Sequence, residues 1–221
     1  MVGSTFPFAF GIINLFEEKT MIWDNNEDIR LEYCGTSKRA IQHVLDACRQ
    51  ERRPYVVITQ KELGDQCYLG KSSKTERTTK ETNLSTILVP VTMLEEEVYK
   101  AEICTYLARK TGAHLILLRA NDYGSKAKRN IQRIITHIQT ISERTGETIS
   151  YEEQVAKGDS FSIHKEIHNY PFEHQLVLLT ASREYGLDDW LFGPPEQYVI
   201  RHSNVPVMLI NPRADLFSLC D

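Results

Sequence analysis

Ile87-Leu88-Val89-Pro90-Val91 carries no polar side chain over five positions. A strand with one wet face alternates polar and apolar residues. An unbroken apolar run is what a strand covered on both faces of a parallel sheet requires. Similar runs recur downstream, at His114 to Arg119, Gln175 to Thr180 and Val205 to Ile210, and Thr148 to Val155 is also strand-like. Between them the period changes to that of a helix. Glu95 to Lys110 places Val98, Ala101, Cys104 and Ala108 at helical spacing, with Gly112 just beyond the end. Lys126 to Glu143 sets Ile131, Ile134, Ile135, Ile138 and Ile141 in one stripe, with Gly146 as its C-cap. Gly158-Asp159 turns into a helix over about Ser160 to His168, with Asp159 or Ser160 as N-cap, and Pro195 to His202 forms a short last helix. Strands alternating with helices predict an α/β fold: an open five-stranded parallel sheet with right-handed crossovers and helices on both faces.

Upstream, residues 71–83 predict a linker, because Lys71 to Thr82 holds no large apolar residue and so has nothing to bury. Residues 1–70 repeat the α/β pattern more weakly. Asp28 to Tyr33 alternates like a strand, Gly35 follows, Ser37 to Gln50 reads as a helix, and Tyr55 to Thr59 as another strand. Gly35 parallels Gly158, and Val56-Val57-Ile58-Thr59 parallels Val177-Leu178-Leu179-Thr180. One reading makes this region a truncated second half of the main domain at 84–215. The other makes it a chance likeness between two common β-Gly-α-β units.

Bulk properties exclude several classes. The 221 residues are 41% hydrophobic and 25% charged, with a formal net charge of −4, which offers no general attraction to nucleic acid or anionic membrane. The five cysteines (Cys34, Cys48, Cys67, Cys104, Cys220) are odd in number, widely spaced and free of any C-x-x-C. Unpaired thiols in a reducing cytoplasm are therefore expected. The apolar segment Phe6 to Phe16 is broken by Pro7 and Gly11 and lacks the basic flank of a signal peptide, so no membrane insertion is expected.

From Thr86 to Pro212 the chain resembles the universal stress protein family. The resemblance rests on the opening strand Ile87 to Val91, on the Lys157-Gly158-Asp159 turn, and on the ending Phe192-Gly193 with Val199-Ile200-Arg201-His202-Ser203-Asn204-Val205-Pro206-Val207-Met208-Leu209-Ile210. It implies a small open sheet that pairs into homodimers through the last strand, here Val205 to Ile210. It also implies two kinds of member, with and without bound nucleotide. Binding members carry an aspartate after the first strand and G-x-x-G followed by G-[S/T] after the fourth, where backbone N–H groups cradle phosphate. In this chain the aspartate position is Thr92, the first two glycines are Thr180 and Arg183, and the hydroxyl position is Pro194. Pro194 and Pro195 have no N–H, while Glu184, Asp188 and Asp189 add negative charge. Only Gly193 of the loop survives, with Gly186 nearby, so no cofactor is expected and ordinary ATP binding is disfavoured. Thr92, Arg183, Gly186 and Gly193 remain the candidate lining of a crevice for another ligand.

Other constellations have plainer explanations. His164 and His168 stand one helical turn apart with His174 nearby, but no third metal ligand has a recommending position. Lys126, Lys128, Arg129 and Arg133 read as a solvated helix face rather than a nucleic-acid site. Glu95-Glu96-Glu97 suits the start of a helix, where carboxylates meet the positive end of its dipole. No G-x-S-x-G or comparable nucleophile motif is present. The expectation is a non-enzymatic universal-stress-like protein that dimerises and binds a protein partner or small ligand. The alternative is a nucleotide-binding switch or weak ATPase with a rebuilt phosphate loop.

Overall fold

Seven strands form one sheet in a computed structural model that describes residues 29–33, 55–59, 84–167, 169–170, 176–181 and 195–212. It also describes the helical positions Arg39, His43, Asp46 and Gln50. The strands are β1 (Ile29–Tyr33), β2 (Tyr55–Thr59), β3 (Thr86–Val91), β4 (His114–Arg119), β5 (Tyr151–Val155), β6 (Leu176–Thr180) and β7 (Val207–Ile210). Their spatial order is β1-β2-β7-β6-β3-β4-β5. The helices are α1 (Lys100–Thr111), preceded by a 3₁₀ turn over Glu95–Tyr99, α2 (Lys126–Thr145), α3 (Ile163–Ile167) and α4 (Pro195–His202).

The apolar runs are apolar because both faces of the sheet are covered. On one face Ile87, Val89, Val91, Leu115, Leu117, Leu176 and Leu178 meet Ile103, Cys104 and Leu107 of α1 and the isoleucine stripe of α2. On the other, Leu88, Ile116, Leu118, Val177 and Leu179 meet Ile163 and Ile167 of α3 and Val199 and Ile200 of α4. Ile131, Ile134, Ile135 and Ile138 are buried, each stabilising the fold by about 1.5–3 kcal/mol relative to exposure. Gly112 and Gly146 end α1 and α2 with φ of 72° and 70°, a backbone conformation that Gly adopts without strain.

The five strands β3 to β7 are mutually parallel, as expected, but they are not the whole sheet. β2 pairs with β7 antiparallel, Tyr55 opposite Ile210 and Ile58 opposite Val207, and β1 pairs with β2 in parallel. The sheet is therefore mixed. This corrects the expectation that Val205 to Ile210 forms a free dimer edge: β7 lies inside the sheet, with β6 on one side and β2 on the other. Its four residues are all buried. Pro206 precedes β7 instead of interrupting it, and its carbonyl accepts a hydrogen bond from Val177 N (3.1 Å). The pairing also shifts the internal parallel seen in the sequence. β2 lies against β7 and β1 against β2, so the order parallel, antiparallel, parallel reads the same from either side of the β2–β7 seam.

Candidate functional site

Strand order reverses between β6 and β3, because the chain proceeds from β3 to β4 on one side and later returns to β6 on the other. Loops leaving the carboxyl ends of strands diverge at such a point and open a crevice, the usual ligand position in open α/β sheets. Thr92 stands there, directly after β3, and is half-buried. Arg183, Gly186 and Gly193, the other predicted lining residues, lie outside the described residues, as do Pro194 and the acidic residues Glu184, Asp188 and Asp189.

Apart from Thr92, the described rim is built from polar side chains that sequence reasoning did not place at the site. The Thr92 hydroxyl donates to Glu97 Oε1 (2.7 Å). Glu97 is 2% exposed and Lys100 1%. The two form an ion pair at i,i+3, and Lys100 Nζ also donates to the Pro90 carbonyl at the end of β3. Two charges removed from water need such mutual compensation, since either alone would be severely destabilising there. The 3₁₀ geometry of Glu95–Tyr99, with Glu97 N bonded to Leu94 O (3.2 Å), accompanies this inward turn of Glu97. A carboxylate does reach the end of the first core strand, but from position 97 and already paired. The only hint in the sequence was the Glu97–Lys100 spacing, which an exposed helix shows equally well.

Three loops are then tied together. Asn130 of α2 donates to the carbonyls of Thr92 (2.9 Å) and Leu94 (2.6 Å), fixing the β3 loop. Met93 N donates to Ser160 Oγ (2.8 Å). Ser160 in turn donates its N–H to Asp122 Oδ1 (2.9 Å) and its hydroxyl to Asp122 Oδ2 (2.5 Å), joining the loops after β3, β5 and β4. Beside them Glu166 Oε2 accepts from the N–H groups of Lys157 (2.8 Å) and Gly158 (3.2 Å). Gly158 has no room for a side chain: a Cβ would lie 2.7 Å from Ser162 Oγ and 3.1 Å from Ile163 N. Asp159 caps the following turn by accepting from Ser162 N (3.0 Å) and Oγ (2.6 Å); the hydroxyl bond holds its carboxyl below the usual range. Of the two N-caps considered, Asp159 fills the role and Ser160 bridges loops instead. The Thr180 hydroxyl, at the carboxyl end of β6, is buried and has no hydrogen-bond partner among the described residues.

No family model matches the chain, and no curated protein does. Solved structures do. A universal stress protein from Archaeoglobus fulgidus superposes with a TM-score of 0.53 at 16% identity, covering 85% of this chain and 62% of that one. The fold is that of the universal stress proteins. This chain spans less than two thirds of that structure's length. The match also reaches into the N-terminal region, since residues 84–221 are less than two thirds of this chain. A universal stress protein in complex with cAMP superposes at 0.45 and 17% identity, over 59% of this chain and 99% of that one. A putative universal stress protein from Pseudomonas aeruginosa gives 0.45 and 12%, over 86% and 64%.

Within the universal-stress fold the remaining candidates are placed as follows. His164 is half-buried, its ring edge-on to Tyr198 at 5.0 Å, and its Nδ1 has no hydrogen-bond partner among the described residues. Burial, then the charge of Lys165, keeps its pKa below the ordinary value. His168 and His174 lie outside the described residues, among which no cluster of three potential metal ligands occurs. Lys126, Lys128, Arg129 and Arg133 are exposed on α2. Cys104 is buried, which pushes its thiol up to about 12 and leaves it unsuited to nucleophilic chemistry; the other four cysteines are outside the described residues. No described helix is long and apolar enough to cross a membrane.

Proposed function

We propose that this chain is a non-enzymatic universal-stress-like protein that works by binding a protein partner or a small ligand at the carboxyl rim of its sheet, without ordinary use of ATP. The observation that carries this reading is the internal engagement of the rim's polar groups. Glu166 occupies the N–H groups of Lys157 and Gly158, Asp122 takes both donors of Ser160, and the Thr92 hydroxyl is held by Glu97. A triphosphate would have to displace carboxylates from these donors, exchanging one set of charge-assisted bonds for another beside uncompensated negative charge. The prolines at 194 and 195 remove two more N–H groups from the loop after β6. A nucleotide-dependent switch is the second reading, favoured by the buried Thr180 hydroxyl left without a described partner. Calorimetric titration of the full chain with ATP and Mg²⁺, with a search for co-purified adenine nucleotide, separates the two. No heat at millimolar ATP is expected; binding at micromolar ATP would give the switch first place.

A further inference from the structure

Among the described strands the sheet has one antiparallel seam, and its two sides are built alike. On one side β6 leads through α4 to β7, its parallel neighbour. On the other, β1 leads through the helical positions Arg39, His43, Asp46 and Gln50 to β2, again a parallel neighbour. β2 meets β7 in reverse, so a local two-fold axis at the seam exchanges β2 with β7 and β1 with β6. Each side then presents the same kind of surface to the other, as two copies of one chain do in a symmetric dimer. The packing follows this relation. Tyr55 and Val57 share one core cluster with Met208 and Ile210, and Ile58 shares the other with Val207 and Leu209.

Charge shows which strands are suited to an edge. β1 reads Ile29-Arg30-Leu31-Glu32-Tyr33 and β5 Tyr151-Glu152-Glu153-Gln154-Val155, and charged residues in both discourage pairing with another chain. β7 has no charged residue, and β2 is what closes its outer side. The connection favours closure from within the chain. Thr59 leaves β2 at the end of the sheet where β3 begins, three strand spacings or about 14 Å away, and residues 60–83 can reach about 80 Å. A segment tethered so near its site meets it at an effective concentration on the order of millimolar, well above that of a second copy at micromolar concentration. The same length lets the unit part from the sheet. Among the described strands, β2–β7 is its one ladder to the rest, so parting breaks no other pairing.

We infer that the strand–helix–strand unit of β1 and β2 is a built-in cap: it pairs with β7 in cis, takes the place of a second copy there, keeps the chain monomeric, and opens before the parallel core. The cap acts on assembly, whatever the rim binds. Light scattering on the full chain at micromolar concentration should give the mass of a monomer. Val57→Cys with Met208→Cys then sets thiols on directly opposed residues, whose Cα atoms lie about 4.5–5.5 Å apart in an antiparallel pair, within disulfide reach. Oxidised from a mixture of unlabelled and ¹⁵N-labelled chains, the 57–208 disulfide should close within single chains, as read by mass spectrometry. Hybrid disulfides, or a dimer of the unaltered chain, would overturn the cap. Val57→Asp should drive β2 from the seam and turn the monomer into a dimer or larger species; a folded, monomeric variant would equally sink it. Hydrogen exchange of the unaltered chain decides the matter should that variant fail to fold. Amides of β2 should exchange about tenfold or more faster than those of β3 and β6, whereas equal protection would mean that the seam opens only with the whole fold and that there is no separable cap.

Discussion

The two flanks of the five-stranded parallel unit make opposite use of a strand's outer side. β5 ends the sheet: no described strand pairs beyond it, and its five residues are half-buried or exposed. It carries charge there, Arg119 Nε bonding Glu153 (3.0 Å) across from β4 and Gln154 bonding Glu152 (2.6 Å). Charged, partly wet side chains discourage pairing with another chain. β7 has the reverse composition, Val207-Met208-Leu209-Ile210, all buried, and its outer side is closed by β2. A strand apolar on both faces needs cover above and below it, and its open hydrogen-bonding side is best closed by a further strand. Here the N-terminal region supplies the last of these from within the same chain.

The largest effect expected from breaking this contrast is at β7. Met208 is buried between β6 and β2, so Met208→Asp places an unpaired carboxylate in the core and should cost about 4 kcal/mol or more. Urea denaturation is expected to show a collapsed midpoint or no folded baseline. Glu153→Ala on β5 should change the stability by less than about 0.5 kcal/mol, as for exposed ion pairs, and leave the midpoint nearly unmoved. Comparable midpoints for the two variants would show that β7 is not interior.

The next effect compares ion pairs in place of strands. Lys100→Met leaves Glu97 buried without its partner and should cost about 3–5 kcal/mol, whereas adding Glu97→Leu should restore much of that loss. A double variant no more stable than the single one would mean that the Thr92 and Pro90 contacts, not the charge pair, hold this corner.

The smallest effect is a dependence on pH. His164 has a folded-state pKa below its ordinary value because burial, then Lys165, disfavours its cation. The unfolded chain therefore binds the proton more readily. The resulting stability is complete above about pH 6.5 and declines as pH falls through that value towards the folded pKa. His137 shifts in the same direction through burial. His164→Phe should flatten part of the slope between pH 7 and 5 in melting-temperature measurements; an unchanged slope would assign it to His137 and the carboxylates.

The core was legible in the sequence wherever an element's environment is repeated along its own length. Two covered faces give an apolar run, and one covered face gives a period of 3.6, so β3, β4, β6, β7, α1 and α2 could be read from periodicity, and Gly112 and Gly146 from the C-cap rule. The rim was less legible. Glu97, Lys100, Asp122, Asn130, Ser160 and Glu166 are polar residues of the kind that usually face water, and their partners lie up to 67 positions away in the chain. Local pattern cannot distinguish a solvated glutamate from one turned inward onto a lysine and a threonine.

By itself, then, the sequence determined which segments of the core are strands and helices, and that the sheet is covered on both faces. Those are properties of each segment's own side chains. Only the tertiary structure decided that β7 is interior, that β2 closes it, and that Met93, Ser160 and Asp122 tie three loops into one rim. Each of those depends on which distant segments become neighbours, and many strand orders satisfy the same periodicity until backbone pairing and burial select one.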